Sequence, residues 1–273
     1  MKHKKSFFIT AGMAVLMLGA LTGCSNYYNY TYDNAEKYVA GDQVITDKID
    51  TIDIDYMSGN VHLTTAGTSG ELTVKETTKA QIEDSLKVHT RVDGSTLYVR
   101  YCASGSGTRP NDIGKQLEIQ IPSANELKNL KIHLASGDVT AEGIVSEIVD
   151  IDTASGNITA DINKAKTVNI DPSSGDTILK AGSIEKLNYD AASGDGTFTF
   201  DSVPKDSLFD AASGDVSIFL PENSDVRIDV DTASGDVEYD LPFSKNEDTY
   251  TLGSGTNKML IDTASGDVSI KKK

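Results

Sequence analysis

The stretch Ile151-Asp152-Thr153-Ala154-Ser155-Gly156-Asn157-Ile158 returns, with small changes, through the second half of the chain. In every copy the serine is followed by Gly and then by Asp or Asn, and these serines are Ser136, Ser155, Ser174, Ser193, Ser213, Ser234 and Ser265. The intervals between them are 19, 19, 19, 20, 21 and 31 residues. A period near twenty with one turn signature per copy is typical of coils that stack on one another.

Apolar residues alternate with polar ones on both sides of each serine. Val149 and Ile151 precede Ser155 in this way, and Ile158 and Ala160 follow it. This period of two predicts strands with one buried face, which β-branched side chains suit. We therefore expect an all-β fold, a single-chain right-handed β-solenoid similar to a parallel β-helix. Its coils of 19 to 21 residues would each contain at least two strands that meet at the Ser-Gly-Asp corner.

The glycine after each serine predicts a sharp corner. Glycine adopts positive φ without a steric penalty, and a flanking Ser or Asp can bond the backbone groups that the bend leaves free. We assign this structural turn role to Gly137, Gly156, Gly175, Gly194, Gly214, Gly235 and Gly266.

Stacking in register predicts two columns of acidic side chains. The column three residues before the serines contains Asp152, Asp171, Asp190, Asp210, Asp231 and Asp262. The column two residues after them contains Asp138, Asn157, Asp176, Asp195, Asp215, Asp236 and Asp267. Neighbouring strands lie about 4.8 Å apart, and two unit charges at that distance in water repel by roughly 0.9 kcal/mol. Each column therefore needs compensation.

Two sources of compensation remain open for the second column. Backbone N–H groups and serine hydroxyls at the corners could stabilise the carboxylates, since successive amides at a bend form an anion-accepting concavity. Alternatively, calcium could bind between the coils, because it takes carboxylate and carbonyl oxygens. We favour the structural ladder, because the known calcium-binding nonapeptide solenoids place Gly and Asp differently and repeat faster. Apart from this candidate calcium ladder, we predict no cofactor.

The first 23 residues have the organisation of a lipoprotein signal peptide. Three lysines precede an apolar segment, residues 7–20, that is too short for a comfortable membrane span. The tetrapeptide Leu21-Thr22-Gly23-Cys24 resembles the bacterial lipobox, which implies lipid attachment at Cys24 and a location outside the cytoplasmic membrane. The alternative is a plain secretory peptide, or a short anchor helix with an incidental cysteine.

The mature chain divides by composition. Residues 24–43 are polar and rich in tyrosine, so we expect a tether there. Residues 44–134 are β-rich but irregular and predict the first coils and a cap, whereas residues 135–273 carry the regular repeat, so that 44–273 form one continuous domain. An insertion of about ten residues lies between Leu241 and Lys258, and the C-terminal lysines are expected to protect an exposed edge.

Charge and cysteine content restrict the function. Loss of the leader and its three lysines lowers the formal charge from −16 to −19. Such a surface argues against nucleic-acid binding and favours cations or cationic peptides as partners. With Cys24 acylated, Cys102 has no intramolecular partner, so the fold cannot depend on a disulfide.

The repeats, the leader and the segment from Leu117-Glu118-Ile119-Gln120-Ile121-Pro122 to Ala135-Ser136-Gly137-Asp138-Val139 resemble the putative-adhesin domain family of bacterial surface and envelope proteins. The resemblance covers roughly Ile49 to Ile270 and implies a β-solenoid in a lipoprotein or envelope-stress protein, without catalytic residues to carry over. The chain departs from the pattern at His133, which replaces an acid, and at Gly196, which replaces an inward apolar residue.

These observations favour a non-enzymatic, lipid-anchored and surface-exposed binding module, an adhesin or an envelope-stress protein. Its partner would be a cell-wall component, a host surface or a cationic peptide. The alternatives are a polysaccharide-acting β-helix enzyme and a structural spacer without a specific ligand. We predict no enzyme, because catalysis needs groups of different pKa held at one place, whereas the acids here are spread evenly over the coils.

Overall fold

The computed structural model describes residues 28–65, 71–108, 113–123 and 125–273. The predicted signal peptide and Cys24 lie outside these residues. The described chain is all-β, as predicted, with two single-turn 3-10 helices, η1 (Ala35–Lys37) and η2 (Asp84–Leu86). Within the described ranges, no helix has the length and apolar character needed to cross a membrane.

The strands of the first half are β1 (Tyr28–Asn29), β2 (Val39–Ala40), β3 (Gln43–Ile45), β4 (Thr51–Tyr56), β5 (Asn60–Thr65), β6 (Leu72–Thr77), β7 (His89–Asp93), β8 (Thr96–Arg100), β9 (Gly107–Thr108), β10 (Gln116–Ile121) and β11 (Leu127–Leu134). Those of the second half are β12 (Val139–Thr153), β13 (Ile158–Pro172), β14 (Thr177–Ala191), β15 (Gly196–Phe200), β16 (Asp206–Ala211), β17 (Val216–Leu220), β18 (Val226–Thr232), β19 (Val237–Tyr239), β20 (Ser244–Asn246), β21 (Thr249–Leu252), β22 (Asn257–Thr263) and β23 (Val268–Lys272).

Two ladders of parallel strands form the body of the molecule. The first ladder contains the strands that precede the corners, in the order β8, β4, β11, β12, β13, β14, β16, β22 and β18. The second contains the strands that follow the corners, in the order β10, β5, β12, β13, β14, β15, β17, β23 and β19. The 15-residue strands β12, β13 and β14 contribute to both ladders, because each runs on from one coil into the next.

The Ser-Gly-Asp corners lie in a single file between the two ladders. The corner glycines have φ between 113° and 152°. A Cβ added to Gly156 would lie 1.9 Å from the carbonyl oxygen of Gly137, and the other corner glycines face the same obstacle at 2.3 Å or less. Glycine is therefore required at the corners both by its backbone conformation and by the close approach of the adjacent coil.

The order of coils in space differs from their order in the chain. We name three of them by their corners: the Ser213 coil (β16 and β17), the Ser234 coil (β18 and β19) and the last coil (residues 257–273, with β22, Ser265 and β23). The last coil pairs with the Ser213 coil on one side and with the Ser234 coil on the other. The expectation that every coil stacks on its predecessor is therefore wrong at this end.

The 241–258 insertion explains why the last coil lies between the Ser213 coil and the Ser234 coil. It contains the hairpin of β20 and β21, and β21 pairs antiparallel with the outer edge of β18. The chain thereby crosses the Ser234 coil before it returns as the last coil. The strand with the C-terminal lysines is also not the outermost one, contrary to the prediction, because β19 covers β23 at residues 268–270, while Lys271 and Lys272 pair with β17 alone.

The opposite end of the stack is closed by antiparallel strands. Strand β6 pairs with β10 and β3 with β6, while β7 pairs with β8 and β2 with β7. Such pairing covers strand edges that would otherwise promote association. We refer to these antiparallel strands as the cap.

The described part of the predicted tether is packed against this cap. Strand β1 pairs with β9. Tyr30 is 9% exposed, and its hydroxyl donates a hydrogen bond of 2.8 Å to the carbonyl oxygen of Asp55. The Tyr32 hydroxyl donates to the carbonyl oxygen of Cys102 at 2.9 Å. From Tyr30 onward the chain thus differs from a solvated tether, because the Tyr30 ring is buried and the Tyr32 hydroxyl is bonded to the domain.

The core consists of inward side chains from both ladders. Gly196, the departure noted in the sequence, makes room for an aromatic cluster, since a Cβ there would lie 2.6 Å from Cε2 of Phe198. The Phe198 ring packs edge-on against Tyr189 and Phe209, with centroids 4.8 and 4.7 Å away. Large rings from neighbouring coils fill the space that the missing side chain leaves.

Candidate functional site: the acidic surface of the stack

The acids that precede the corners form one outward-facing file on the first ladder, which we call the aspartate column. In spatial order it contains Asp152, Asp171, Asp190, Asp210, Asp262 and Asp231. All six residues are exposed. They face outward because the strand period is two and the residues on either side of each are buried or belong to the corner.

The column is poorly compensated. Partial burial, followed by the charges of Asp152 and Asp190, raises the pKa of Asp171 above its ordinary value. Burial and the charges of Asp210 and Asp231 raise the pKa of Asp262 in the same way. Among the ion pairs of the described residues, the column takes part in one, between Asp152 and His133. The carboxylates therefore repel one another along the file.

His133 terminates the column toward the N-terminal end. It occupies the register position of the acids, opposite Asp152, and its Nδ1 lies 3.0 Å from Asp152 Oδ2. The hydrogen bond to Asp152 raises the pKa of His133, and the charge of Asp55 adds to this effect. Beyond it, burial raises the pKa of Asp55, against the opposing charge of Arg100. At this end a histidine thus takes the place that an aspartate has in the following coils.

Along another edge of the same coils, acidic and basic side chains alternate and form ion pairs. Lys166 Nζ lies 2.8 Å from Glu147 Oε2, and Lys205 Nζ lies 2.9 Å from Glu185 Oε2. These side chains alternate in sign from coil to coil, so each charge has an opposite neighbour. The repeat can therefore accommodate alternating charges, and the uniform sign of the aspartate column is a distinct property of its face.

The corner acids, the candidate calcium ligands, are bonded to the backbone of the next coil. Oδ1 of Asp138 accepts the N–H of Asn157 at 2.8 Å, and Oδ1 of Asp176 accepts that of Asp195 at 2.9 Å. The pattern continues through Asp215 to Asp267 at 2.8 Å. In six of the seven corner residues, all except Asp236 of the outermost coil, one side-chain oxygen thus links two coils, which is the geometry of the structural ladder.

Calcium binding at these corners stays a prediction. In the described ranges, no group of three or more His, Cys, Asp and Glu side chains is arranged to hold a metal ion.

A shallow cavity of about 220 Å³ lies on the second ladder near the cap. Its polar lining comes from three adjacent strands, with His62 and Thr64 on β5, Glu118 on β10 and Lys75 on β6. His62 Nε2 lies 3.8 Å from Glu142 Oε1 on the next coil. This cavity could not be predicted from the sequence, because its residues come from the irregular segments, where no repeat indicates which side chains meet.

A buried charged cluster closes the N-terminal end of the stack. Lys115 Nζ lies 2.8 Å from Glu76 Oε1, and the two side chains are 0% and 3% exposed. The Tyr56 hydroxyl donates to the same carboxylate oxygen at 2.5 Å, while the backbone N–H of Val88 donates to Oε2 at 2.9 Å. Glu76 therefore joins three separate segments of the cap.

The remaining thiol belongs to this cluster. Cys102 is fully buried and free. Burial raises the pKa of its thiol to about 11, which leaves almost no thiolate at neutral pH. It behaves as a small packing residue. Cys24, the predicted lipid attachment site, lies outside the described residues.

Comparisons with known proteins place this architecture in a family. The model of the Toastrack DUF4097 family matches residues 44–271. Among solved structures, the chain is similar to a putative adhesin from Bacteroides fragilis, at 13% identity and a TM-score of 0.43, over 87% of this chain and 98% of that one. It is also similar to a putative cell adhesion protein from Clostridium sporogenes, at 14% identity and a TM-score of 0.37, over 86% and 100% of the two chains.

A third similar structure is a putative lipid binding protein from Parabacteroides distasonis, at 14% identity and a TM-score of 0.40, over 85% of this chain and 96% of that one. The search of curated proteins gave no match. The family model spans most of the chain, from β3 to β23. The chain therefore belongs to the Toastrack DUF4097 family.

Proposed function

We propose that the protein is a non-enzymatic binding module, anchored by lipid outside the cytoplasmic membrane of a bacterium, whose coils wind as a right-handed β-solenoid. The handedness follows the strong preference of parallel strand connections for a right-handed path. The module acts as an adhesin or in the response to envelope stress. Similar structures described as adhesins support this proposal only at the level of the family.

The aspartate column is the observation that carries the proposal. Six exposed carboxylates of one sign stand in a file, and their mutual repulsion is relieved when a cationic ligand binds along them. The ligand class is therefore a polycation, such as a cationic peptide or an amine-bearing component of a cell wall or host surface. Electrostatic attraction of this kind speeds association and weakens with salt.

The anchor would hold the N-terminal end of the stack near the membrane. Only residues 25–27 separate Cys24 from β1, which pairs with β9. Fully extended, the four steps from Cys24 to Tyr28 span about 14 Å. The cap would therefore lie next to the lipid surface, and the aspartate column would run away from it.

Binding of a short polylysine peptide, measured by calorimetry at low and at physiological salt, tests the ligand class. The triple variant Asp171→Asn, Asp190→Asn, Asp210→Asn should weaken binding by about tenfold, because roughly 1.4 kcal/mol of attraction is lost. The matched control carries Glu147→Gln, Glu185→Gln and Glu222→Gln, which remove the same charge from acids already paired with lysines. It should bind almost as the native chain does.

Two outcomes would contradict this part of the proposal. Equal losses in both variants would mean that net charge alone attracts the peptide, without a role for the column. No binding to the native chain at low salt would favour the structural spacer instead.

The anchor is tested separately by Cys24→Ala in the full-length chain. Without the acceptor thiol no lipid is attached, so the protein should move from the membrane fraction to the soluble fraction. Fractionation of cells followed by immunodetection measures the change. Continued retention in membranes would contradict the lipid anchor while leaving the ligand class untouched.

A further inference from the structure

The last coil is inserted between two coils that precede it in the chain. On one side, the Ser265 carbonyl oxygen of the last coil accepts the backbone N–H of Gly214 at 3.0 Å. On the other side, the Gly266 N–H donates to the Ser234 carbonyl oxygen, also at 3.0 Å. The corner hydrogen bond between side chain and backbone is also present, since the Asp267 N–H donates to Asp215 Oδ1 at 2.8 Å. The last coil therefore occupies a slot whose two walls are both complementary to it.

The sequence of one wall of the slot matches that of the coil which fills it. The heptapeptide Asp-Thr-Ala-Ser-Gly-Asp-Val occurs both at 231–237, in one wall, and at 262–268, in the last coil itself. The two copies lie side by side in register. The inward residues Met259, Ile261 and Ile270 are at most 1% exposed, so the slot is closed by the same apolar burial as any inner coil.

The last coil is attached to the rest of the chain by a short glycine-containing connection, residues 253–256. Gly253 and Gly255 have φ of 69° and 70°. Asp225 holds this connection, since its Oδ1 accepts the N–H of Gly255 at 2.6 Å and its Oδ2 accepts the Ser254 hydroxyl at 2.9 Å. Hydrogen bonds from Thr256 and Ser254 lower the pKa of Asp225 to about 2, so the clamp is ionised at neutral pH.

The tail of the last coil is held at the surface. Lys272 Nζ lies 2.6 Å from Glu222 Oε2, and both side chains are exposed. Lys273 forms a similar exposed ion pair with Asp201. Exposed pairs of this kind contribute little to stability. Release of the last coil thus requires loss of its two strand ladders and of the Asp225 clamp, but of no covalent or deeply buried polar link.

We propose that the last coil is exchangeable and that its partner is a second copy of this chain. In the reciprocal dimer, residues 257–273 of each copy fill the slot between the Ser213 and Ser234 coils of the other. Every strand pair and buried contact of the slot is kept, and only the conformation of the 253–256 connection changes, which is why such swapping is a low-cost route to dimers. The proposal does not depend on what the aspartate column binds.

Mixed single-cysteine variants of the full-length chain test this exchange, each carrying Cys24→Ser. Leu208 on β16 and Leu260 on β22 are register partners on the outer surface. Their Cα atoms are expected about 4.8 Å apart, within the range of a disulfide. Chains with Leu208→Cys are mixed with chains carrying Leu260→Cys, incubated in sub-denaturing urea, returned to buffer and oxidised with diamide. A covalent dimer on a non-reducing gel is expected.

The matched control pair is Ile178→Cys with Thr197→Cys, register partners in the middle of the stack, where no exchange is proposed. A chain carrying both Leu208→Cys and Leu260→Cys shows that the bond closes in cis. Dimer yield should exceed that of the control pair several-fold, and Asp225→Ala, which frees the connection, should raise it further. Yields equal to the control pair, with cis closure intact, would overturn the proposal.

Discussion

At the scale of single residues, the buried pair of Lys115 and Glu76 decides how the N-terminal end holds together. The carboxylate binds an ammonium group, a phenol and a backbone N–H from three segments. Burial lowers the pKa of Lys115, against the opposing influence of Glu76. A buried pair of this kind is more informative about specificity of the cap than about net stability, because both ions lose their hydration.

Lys115→Met should destabilise the protein by about 3–5 kcal/mol, because it leaves the Glu76 carboxylate buried without its cation. The double variant Lys115→Met, Glu76→Gln should recover part of this loss, since the amide is neutral, its oxygen can accept the Val88 N–H, and its NH2 can donate to the Tyr56 hydroxyl oxygen. Urea unfolding followed by circular dichroism measures both. A single variant that loses less than about 1 kcal/mol would show that the carboxyl simply protonates.

The contacts between residues of the irregular half could not be predicted from the sequence. Glu76 and Lys115 lie 39 positions apart, and no period relates them. In the regular half, by contrast, the inward apolar residues, the corner glycines and both acidic columns follow from counting relative to each serine. The repeat makes neighbours predictable, and the cap has no such rule.

At the scale of elements, the corner file joins the coils. An oxygen of every corner side chain except that of Asp236 accepts the N–H of the adjacent corner residue, so the backbone compensates part of the charge that the corner acids would otherwise accumulate. The order of the coils, however, could not be predicted. Because residues 231–237 and 262–268 are identical, either segment fits against the Ser213 coil, and the β20–β21 hairpin decides which one does.

Replacing EDTA by millimolar calcium should leave the melting temperature unchanged, because backbone N–H groups already bond one oxygen of every corner residue except Asp236. Differential scanning calorimetry of the mature chain measures this, with magnesium as the control for ionic strength. A rise in melting temperature with calcium alone would contradict the structural ladder. It would support ions bound between the corner residues, since a ligand of the folded state stabilises it by mass action.

At the scale of the whole molecule, charge is distributed by face. The edge with Glu147 and Lys166 alternates in sign, the corners are bonded to backbone, and the aspartate column is left with a single ion pair at His133. The folded state therefore accepts repulsion on one face while it compensates the others. A surface that costs stability and is nevertheless built into successive coils fits a binding role better than that of an inert spacer.

This repulsion predicts a pH dependence of defined sign. The pKa values of Asp171, Asp210 and Asp262 are raised by burial and then by neighbouring aspartates. A carboxyl whose folded-state pKa lies above the unfolded value, about 3.9, favours folding most fully below that value. Its contribution is lost as the pH rises through the folded-state pKa. At neutral pH the ionised column therefore destabilises the fold relative to neutral side chains.

The variant Asp171→Asn, Asp210→Asn, Asp262→Asn should accordingly be more stable than the native chain at neutral pH, by roughly 1–2 kcal/mol after screening by solvent. The difference should vanish below the unfolded pKa, where the native carboxyls are protonated in both states. Urea unfolding across this pH range measures the difference in stability.

Glu147→Gln with Glu185→Gln is the control of opposite sign, because ion pairs with lysines lower the pKa of these acids. That control should cost stability at neutral pH and lose its effect in acid, whereas a triple variant less stable than the native chain at neutral pH would show that the column is compensated after all.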